Sequence, residues 1–294
     1  MNMRHVPVLL GETIDSLKLK PGNIVVDCTL GDGGHSEEII KKIQPNGVLV
    51  GIDADIESLG RAKDFLADYK IEKIFINDNF SNLDEILKNN NLEKVDGILM
   101  DFGWSTPQFA DRNRGFSFQT DEELDMRYDS QNQELTAKDI INKYSEDDLA
   151  EIFRKYGDEK NSKKIAKVIV EKRKAKEISK TSELVEIILT INKKGKEKIH
   201  PATRVFQALR IEINNELGVI KEVLPKAADA LNSNGRLAVI TFHSLEDAIV
   251  KHYFKSQSHK TINIINKKPI TCSQEELKNN PRARSAKLRV IEKI

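Results

Sequence analysis

The sequence predicts an α/β fold in which a doubly wound, mostly parallel sheet is interrupted by a helical insertion. Four apolar runs within residues 24–101 are each followed by a loop and, after the first three, by a helical pattern, an alternation typical of parallel sheets. Helical patterns then dominate residues 146–217. Apolar strand patterns return afterwards, and the last two, Thr261–Ile265 and Ala286–Ile291, are expected to pair antiparallel at one edge of the sheet.

The composition is that of a globular protein with enough apolar material for a large core. The chain has 294 residues, of which 39% are hydrophobic and 32% are charged. It contains no apolar run long enough for a membrane span and no signal-like start, so we expect a cytoplasmic protein. Its two cysteines, Cys28 and Cys272, lie far apart and outside any ligand pattern, which argues against a disulfide framework and against a zinc site.

The opening strand, loop and helix, VVDCTLGDGGHS over residues 25–36, are typical of a nucleoside-binding unit. The strand ends in Asp27, and the helix is entered at His35 and Ser36. Ser36 stands where a dinucleotide fingerprint has its third glycine, which favours a phosphate-free nucleoside ligand such as S-adenosylmethionine over a pyrophosphate. The glycines that let the backbone approach such a ligand are Gly31, Gly33 and Gly34.

The second strand pattern, Gly47–Ala54, also ends in an acid. Asp53 follows Gly31 by 22 positions, close to the spacing of about 20 at which a carboxylate meets ribose hydroxyls in such folds. Asp53 could instead cap the next helix, but Asp55 immediately precedes the helical pattern and fits that role better.

The third and fourth strand patterns, Lys73–Ile76 and Val95–Met100, supply two further candidate residues. Phe80 lies just after the third strand, where the adenine is bound in this architecture, although an aromatic at a strand end is as often a core residue. Asp101 ends the fourth strand, and ligands in open α/β sheets bind outside the carboxyl ends of the strands.

A mainly helical insertion is predicted over residues 104–214, between the two parts of the sheet domain, 1–103 and 215–294. Its first part is loop-like and contains Gly115-Phe116-Ser117-Phe118. The patterns after the insertion predict a turn at Asn232–Gly235, a strand to Phe242 and a helix capped by Ser244 and Asp247. Six or seven strands ending in an antiparallel pair favour the methyltransferase variant of the doubly wound sheet over the dehydrogenase form. The helical patterns of the insertion cover residues 146–156, 163–174, 182–191 and 201–217.

The net charge of +1 conceals a strong asymmetry. Residues 121–151 carry eleven acids against three bases, whereas residues 154–198 carry fifteen bases against seven acids. Residues 251–294 carry eleven bases against three acids, a second positive region that could bind phosphates. Solvated helix faces are often this basic, so these regions could either bind nucleic acid or simply be exposed helix surfaces.

Seven ordered motifs span nearly the whole chain. They are His5-x-Pro7-Val8-Leu9-Leu10, Gly31-x-Gly33-Gly34-His35-Ser36, Asp101-x-Gly103-x-Ser105-x-Pro107-Gln108, Arg114-Gly115-Phe116-Ser117-Phe118, His200-Pro201-Ala202-Thr203-Arg204-x-Phe206-Gln207-Ala208-x-Arg210-Ile211, Phe242-His243-Ser244-Leu245-Glu246-Asp247 and Asn280-Pro281-Arg282-Ala283-Arg284-Ser285. Together they resemble the bacterial ribosomal RNA small-subunit methyltransferase H family, also called MraW, which methylates cytosine N4.

That resemblance implies a class I, Rossmann-like methyltransferase with an inserted helical substrate-recognition domain, no metal, and S-adenosylmethionine as cofactor, released as S-adenosylhomocysteine. Small departures are Asp32, where the family commonly has a basic residue, and Phe102 and Trp104, which replace usual aliphatic residues. By the resemblance, the cofactor contacts are Gly33, Gly34, His35, Asp53, Phe80, Asp101 and Gln108.

The exocyclic amine of cytosine is a poor nucleophile, so a catalyst must align it with the methyl donor and accept its developing charge. We expect Asp101 to be the acceptor that orients the target amine or the sulfonium end of the cofactor, with Trp104 or Phe116 stacking on an extruded base. Asp101 could instead cap its loop by binding the backbone amides. In that case the chemistry could lie in the Ser105–Gln108 loop or at His243. Pro107 and Gln108 could also have no chemical role and only shape that loop.

The expected partner is small-subunit ribosomal RNA within an assembling subunit, and a homodimer is a further expectation. The alternatives are a methyltransferase acting on protein or DNA, and a catalytically silent nucleoside-binding factor. Arg282 and Arg284 could instead brace the C-terminal strand. Phosphate contacts are predicted for Lys251, Lys255, Arg282, Arg284 and the basic residues of the region 154–198.

Overall fold

The computed structural model describes residues 6–102, 114–130, 133–193 and 200–294, and its centre is a sheet of seven strands. The strands are β1 (Ile24–Asp27), β2 (Val48–Asp53), β3 (Glu72–Asn77), β4 (Val95–Asp101), β5 (Leu231–Thr241), β6 (Ile262–Ile264) and β7 (Lys287–Lys293). Their order is β3-β2-β1-β4-β5-β7-β6, in which β1 to β5 run parallel and β7 runs antiparallel to both β5 and β6. The predicted mostly parallel sheet with an antiparallel C-terminal pair is confirmed.

Helices cover both faces of this sheet, which explains why its strands read as continuous apolar runs. Successive side chains of a strand point to opposite faces, so Val25 packs in one buried cluster and Val26 in the other. The helices belonging to the sheet region are α1 (Leu10–Leu17), α2 (Gly34–Ile43), α3 (Ile56–Phe65), α4 (Leu83–Asn89), α10 (Glu216–Ala230), α11 (Ser244–Gln257) and α12 (Gln274–Asn279).

The chain divides into two compact units, Met1–Trp104 with Leu217–Ile294, and Ser105–Glu216. The second unit contains a short helix, Ala137–Lys143, that the sequence reading missed although Thr136 and Asp139 form a capping box at its start. Substrate recognition by this unit stays a prediction. Its helices are α5 (Ala137–Lys143), α6 (Glu146–Gly157), α7 (Ser162–Arg173), α8 (Thr181–Ile191) and α9 (Thr203–Ile213).

Three local predictions are wrong: the end of one helix, one turn and one helix cap. The helix predicted over 201–217 ends at Ile213, because Asn215 adopts a left-handed backbone with φ 46°. The turn predicted at Asn232–Gly235 lies within β5, where the ladder pairs Leu231 with Val95 and Arg236 with Gly97 and shifts register between them.

The third correction concerns the start of α11. Its N-cap is His243, whose ring accepts a hydrogen bond from the amide of Glu246, rather than Ser244. Asp247 does not cap this helix but accepts hydrogen bonds from Arg289 of β7 at 2.6 and 3.2 Å. Among the described residues, no helix has the length and apolar character needed to cross a membrane.

Candidate functional site

Three carboxylates lie at the carboxyl ends of adjacent parallel strands. Asp27 ends β1, Asp53 ends β2 and Asp101 ends β4. These strands are neighbours in the sheet, so their ends meet at the edge where open α/β sheets bind ligands. The edge therefore brings together the acids that the sequence reading singled out.

The glycine loop between β1 and α2 follows this edge and needs its glycines for two different reasons. Gly31 and Gly33 have φ values of 52° and 80°, a backbone region that side chains disfavour. A Cβ on Gly34 would lie 2.4 Å from Cγ of Pro7, so the N-terminal segment can pack on the loop only because residue 34 has no side chain.

Asp53 holds the glycine loop in place from the end of β2. Its Oδ2 accepts a hydrogen bond from the Gly31 amide at 2.8 Å, and its Oδ1 accepts one from the Asp55 amide at 2.8 Å. Burial raises the pKa of Asp53 to about 7. A carboxylate has about four acceptor positions, so the two amides leave room for two further donors such as ribose hydroxyls. Asp55 caps α3, as expected.

Asp27 is fully buried and belongs to a network that links β1, α2 and β4. It accepts hydrogen bonds from the Ser36 hydroxyl at 2.7 Å and from the Thr29 amide at 3.1 Å. The Thr29 hydroxyl oxygen in turn accepts one from the Asp101 amide at 2.7 Å. Burial raises the pKa of Asp27 to about 6. Asp27 therefore supports the backbone beneath Asp101, a role that the sequence reading missed.

Replacing Asp27 by asparagine is expected to stabilise the ligand-free protein at neutral pH. Its carboxyl has a pKa of about 6 when folded and about 3.9 when unfolded. The favourable contribution of the protonated carboxyl is present below about pH 4 and is lost as the pH rises through about 6, a loss of about 3 kcal/mol. Asparagine carries no charge and keeps both hydrogen bonds, because the Ser36 hydroxyl can accept as well as donate.

Urea unfolding at about pH 4 and about pH 7 measures this difference. The variant should match the wild type at the lower pH and exceed it at the higher pH. Asp68→Asn, which changes an exposed acid, is the control and should show no such divergence. A variant that is weaker by the same amount at both pH values would contradict the prediction.

His35 connects Asp101 with the N-terminal segment. Its Nε2 lies 3.0 Å from the Val8 carbonyl oxygen. Since a carbonyl only accepts, Nε2 carries the hydrogen of that bond. Its Nδ1 lies 3.8 Å from Oδ2 of Asp101, and only 12% of the Asp101 side chain is exposed. The structure thus brings these two predicted site residues together.

The N-terminal segment is also held by helix α12 and by the C-terminal motif that follows it. The Leu9 amide donates to Oε1 of Glu276 at 2.7 Å, and the buried Asn280 donates through Nδ2 to the Val6 carbonyl at 3.1 Å. The first and last motifs of the sequence therefore support the glycine loop. Sequence reasoning could not find this role, because the partners are more than 260 positions apart.

Phe80 begins a short 3-10 helix after β3 and is half-buried. Its ring centroid lies 5.8 Å from that of Phe102, and both rings pack against the same buried cluster. Phe80 is therefore a core contact in part, and its role beside an adenine stays a prediction. Asp32, which departs from the family pattern, forms an ion pair with Arg61 at 2.8 Å.

Phe116 lies in the second unit, where it packs rather than projects. Only 6% of the residue is exposed, and its ring stacks on Tyr128 at a centroid distance of 5.7 Å and an angle of 6°. Gly115, with φ 73°, precedes it in a loop held by Glu122, whose Oε2 accepts the Gly115 amide at 2.8 Å. Base stacking by Phe116 stays a prediction. Trp104, Ser105 and Gln108 lie outside the described residues.

His243, the alternative catalytic residue, lies at the start of α11. Its Nε2 is 2.9 Å from Oε1 of Glu246, and the other oxygen of this buried carboxylate accepts the Phe242 and His243 amides at 2.7 and 3.2 Å. The contacts of His243 are thus those of a helix cap. The predicted phosphate-binding residues Lys251, Lys255, Arg282 and Arg284 are exposed, but their contact with RNA stays a prediction.

Comparison with known proteins shows which family the chain belongs to. Residues 2–294 match the MraW methylase family. The chain belongs to this family. Proteins named ribosomal RNA small subunit methyltransferase H are 47% identical in Clostridium botulinum (strain Loch Maree / Type A3) and 44% identical in Clostridioides difficile (strain 630), with each alignment covering 100% of both chains. The sheet and its glycine loop are therefore those of a methylase.

A crystal structure from Clostridium thermocellum, described as a candidate rRNA-methylase, has a TM-score of 0.50 over 99% of this chain and 100% of its own. At 14% identity it supports the fold alone.

Proposed function

We propose that this chain uses S-adenosylmethionine to methylate the N4 amine of a cytidine in small-subunit ribosomal RNA. The observation that carries the proposal is the meeting of Asp53, Asp101 and the glycine loop at one edge of the sheet of an MraW-family methylase. The relatives named as small-subunit ribosomal RNA methyltransferases support the substrate.

The described residues fit the cofactor. Asp53 retains acceptor positions for two ribose hydroxyls, and three of the four loop residues before and at the start of α2, Gly31, Gly33 and Gly34, have no side chain to block the approach of a ligand. Bound S-adenosylmethionine supplies an electrophilic methyl group and leaves as S-adenosylhomocysteine. We assign the cofactor contacts to Gly31, Gly33, Gly34, His35, Asp53, Phe80, Asp101 and Gln108.

The chemical role assigned to Asp101 is to accept a hydrogen bond from the target amine. The lone pair of this amine is delocalised into the ring, so the amine must be oriented and its developing positive charge must be stabilised. Asp101 suits this role because its side chain is largely buried, where a charge acts more strongly than in water. Trp104, Ser105 and Phe116 are proposed to complete the base site.

Only the target nucleotide is proposed to bind at the edge of the sheet, so the flanking RNA extends beyond it. We assign the phosphate contacts of this RNA to Lys251, Lys255, Arg282, Arg284 and the basic residues of 154–198. The inserted region 104–214 is proposed to recognise the substrate. We expect the protein to act in the cytoplasm on an assembling small subunit, and a homodimer stays a prediction.

Methyl transfer from labelled S-adenosylmethionine tests the function. Immature small subunits, naked small-subunit RNA, DNA and protein are offered separately, and we expect label at cytidine N4 of the RNA. Label in DNA or protein would indicate that the enzyme methylates that substrate instead of RNA. Cofactor binding without transfer to any of the four would favour a silent nucleoside-binding factor.

A further inference from the structure

The basic C-terminal region separates into paired and unpaired charges. Lys287 and Arg289 of β7 form ion pairs with Asp247 at 3.3 and 2.6 Å, and Lys293 lies 3.5 Å from Asp229. These bases stabilise the sheet and its neighbouring helices, so they contribute little free charge to the surface.

Six other lysines of this region form no ion pair within the described part of the chain, and all six are exposed. Five of them lie within residues 248–274, which include no aspartate or glutamate, whereas Lys278 follows Glu275 and Glu276. We call these five the basic track: Lys251, Lys255, Lys260, Lys267 and Lys268.

The basic track leads away from the candidate site. Helix α11 follows β5 directly, and the Ile240 carbonyl of β5 accepts the Phe102 amide at 3.0 Å, next to Asp101. From there α11 extends about 21 Å, with Lys251 and Lys255 one turn apart and therefore on the same face. Lys260 follows in the turn before β6, the outermost strand, and Lys267 and Lys268 follow β6.

We propose that the basic track binds the phosphates of RNA that flanks the target nucleotide, from the carboxyl edge of the sheet to its β6 edge. The proposal rests on the proposed function, which puts an RNA base at that edge. Exposed, unpaired lysines fit a phosphate backbone, since they offer charge without base-specific groups. An anionic membrane is a poorer match, because Ile265 is the one large hydrophobic side chain exposed within residues 248–274.

A second physical role for part of the track needs to be separated from RNA binding. Lysines at the edge of a sheet prevent that edge from pairing with another chain, and Lys267 and Lys268 lie beside the edge strand. If this were their role, their loss would cause self-association without changing the affinity for RNA.

The test variant combines Lys260→Gln, Lys267→Gln and Lys268→Gln, which removes three charges and keeps polar side chains. RNA affinity is measured by fluorescence anisotropy over a range of salt concentrations, with a small-subunit RNA fragment that the wild type methylates. We expect weaker binding and a plot of log affinity against log salt that is flatter by about 2 units, since each phosphate contact contributes about 0.7 on single-stranded RNA. Cofactor affinity, measured by calorimetry, should not change.

The matched control, Lys42→Gln with Lys70→Gln and Lys88→Gln, removes the same charge from exposed lysines elsewhere on the first unit. If both triple variants bind RNA with the same affinity and slope, the basic track is not an RNA surface. Wild-type RNA binding combined with self-association in size-exclusion chromatography, or track-dependent binding to phosphatidylserine vesicles without an effect on RNA, would also overturn the proposal. A wild-type protein that methylates no RNA would instead refute the proposed function.

Discussion

Replacing Asp101 by asparagine is expected to slow single-turnover methylation about 100-fold or more, the scale of losing one preorganised electrostatic partner. Asparagine keeps the shape of the side chain and removes its charge. The hydrogen bond between the Asp101 amide and the Thr29 hydroxyl is made by the backbone, so the substitution leaves it in place. RNA affinity should stay near that of the wild type, because the effect concerns the transition state.

Rapid-quench measurement with enzyme in excess over RNA isolates this step from product release. Asp64→Asn, which makes the same chemical change at an exposed position of α3, is the control and should react at the wild-type rate. A wild-type rate in Asp101→Asn would place the chemistry in the Ser105–Gln108 loop or at His243. It would also overturn the catalytic role assigned to Asp101.

The sheet could be predicted from the sequence because four of its five parallel strands, β1, β2, β4 and β5, have buried residues on both faces. Such strands appear as apolar runs, and the acids that end β1, β2 and β4 mark where the chain reaches the ligand edge. The capping role of Asp55 could be predicted for a similar reason, since a cap bonds to amides two and three residues away. Both signals are local.

Long-range contacts could not be predicted in this way. Nothing near Val8 or Asn280 in the sequence indicates that the two chain ends meet beside the glycine loop. The burial of Phe116 against Tyr128 is also a tertiary effect, since an aromatic in a glycine-containing loop fits an exposed ring equally well. At α11, both His243 and Ser244 are followed three residues later by an acid, and only the structure distinguishes the two caps.

Replacing Asp53 by alanine is expected to weaken S-adenosylmethionine binding about 10- to 150-fold, the loss of a charge-assisted hydrogen bond of about 1.5–3 kcal/mol. The carboxylate already accepts the Gly31 and Asp55 amides. Its loss therefore removes the proposed acceptor for the ribose and also releases the glycine loop. Calorimetric titration measures the affinity, and Asp55→Ala, which removes the cap of α3 but keeps Asp53, should retain it.

The pH dependence separates these two effects of Asp53. With a pKa of about 7, the carboxylate of the free enzyme is largely protonated at pH 6, so wild-type affinity should fall about tenfold between pH 8 and pH 6. Asp53→Ala lacks this carboxyl, so its affinity should change much less than that of the wild type between the two pH values, although Asp27, with a pKa of about 6, still titrates nearby. Asp53→Asn keeps an acceptor for the Gly31 amide and should bind more tightly than Asp53→Ala, with the same weak pH dependence. Wild-type affinity that is constant from pH 6 to pH 8, together with unchanged binding by Asp53→Asn, would mean that Asp53 holds the loop and that the ribose binds elsewhere.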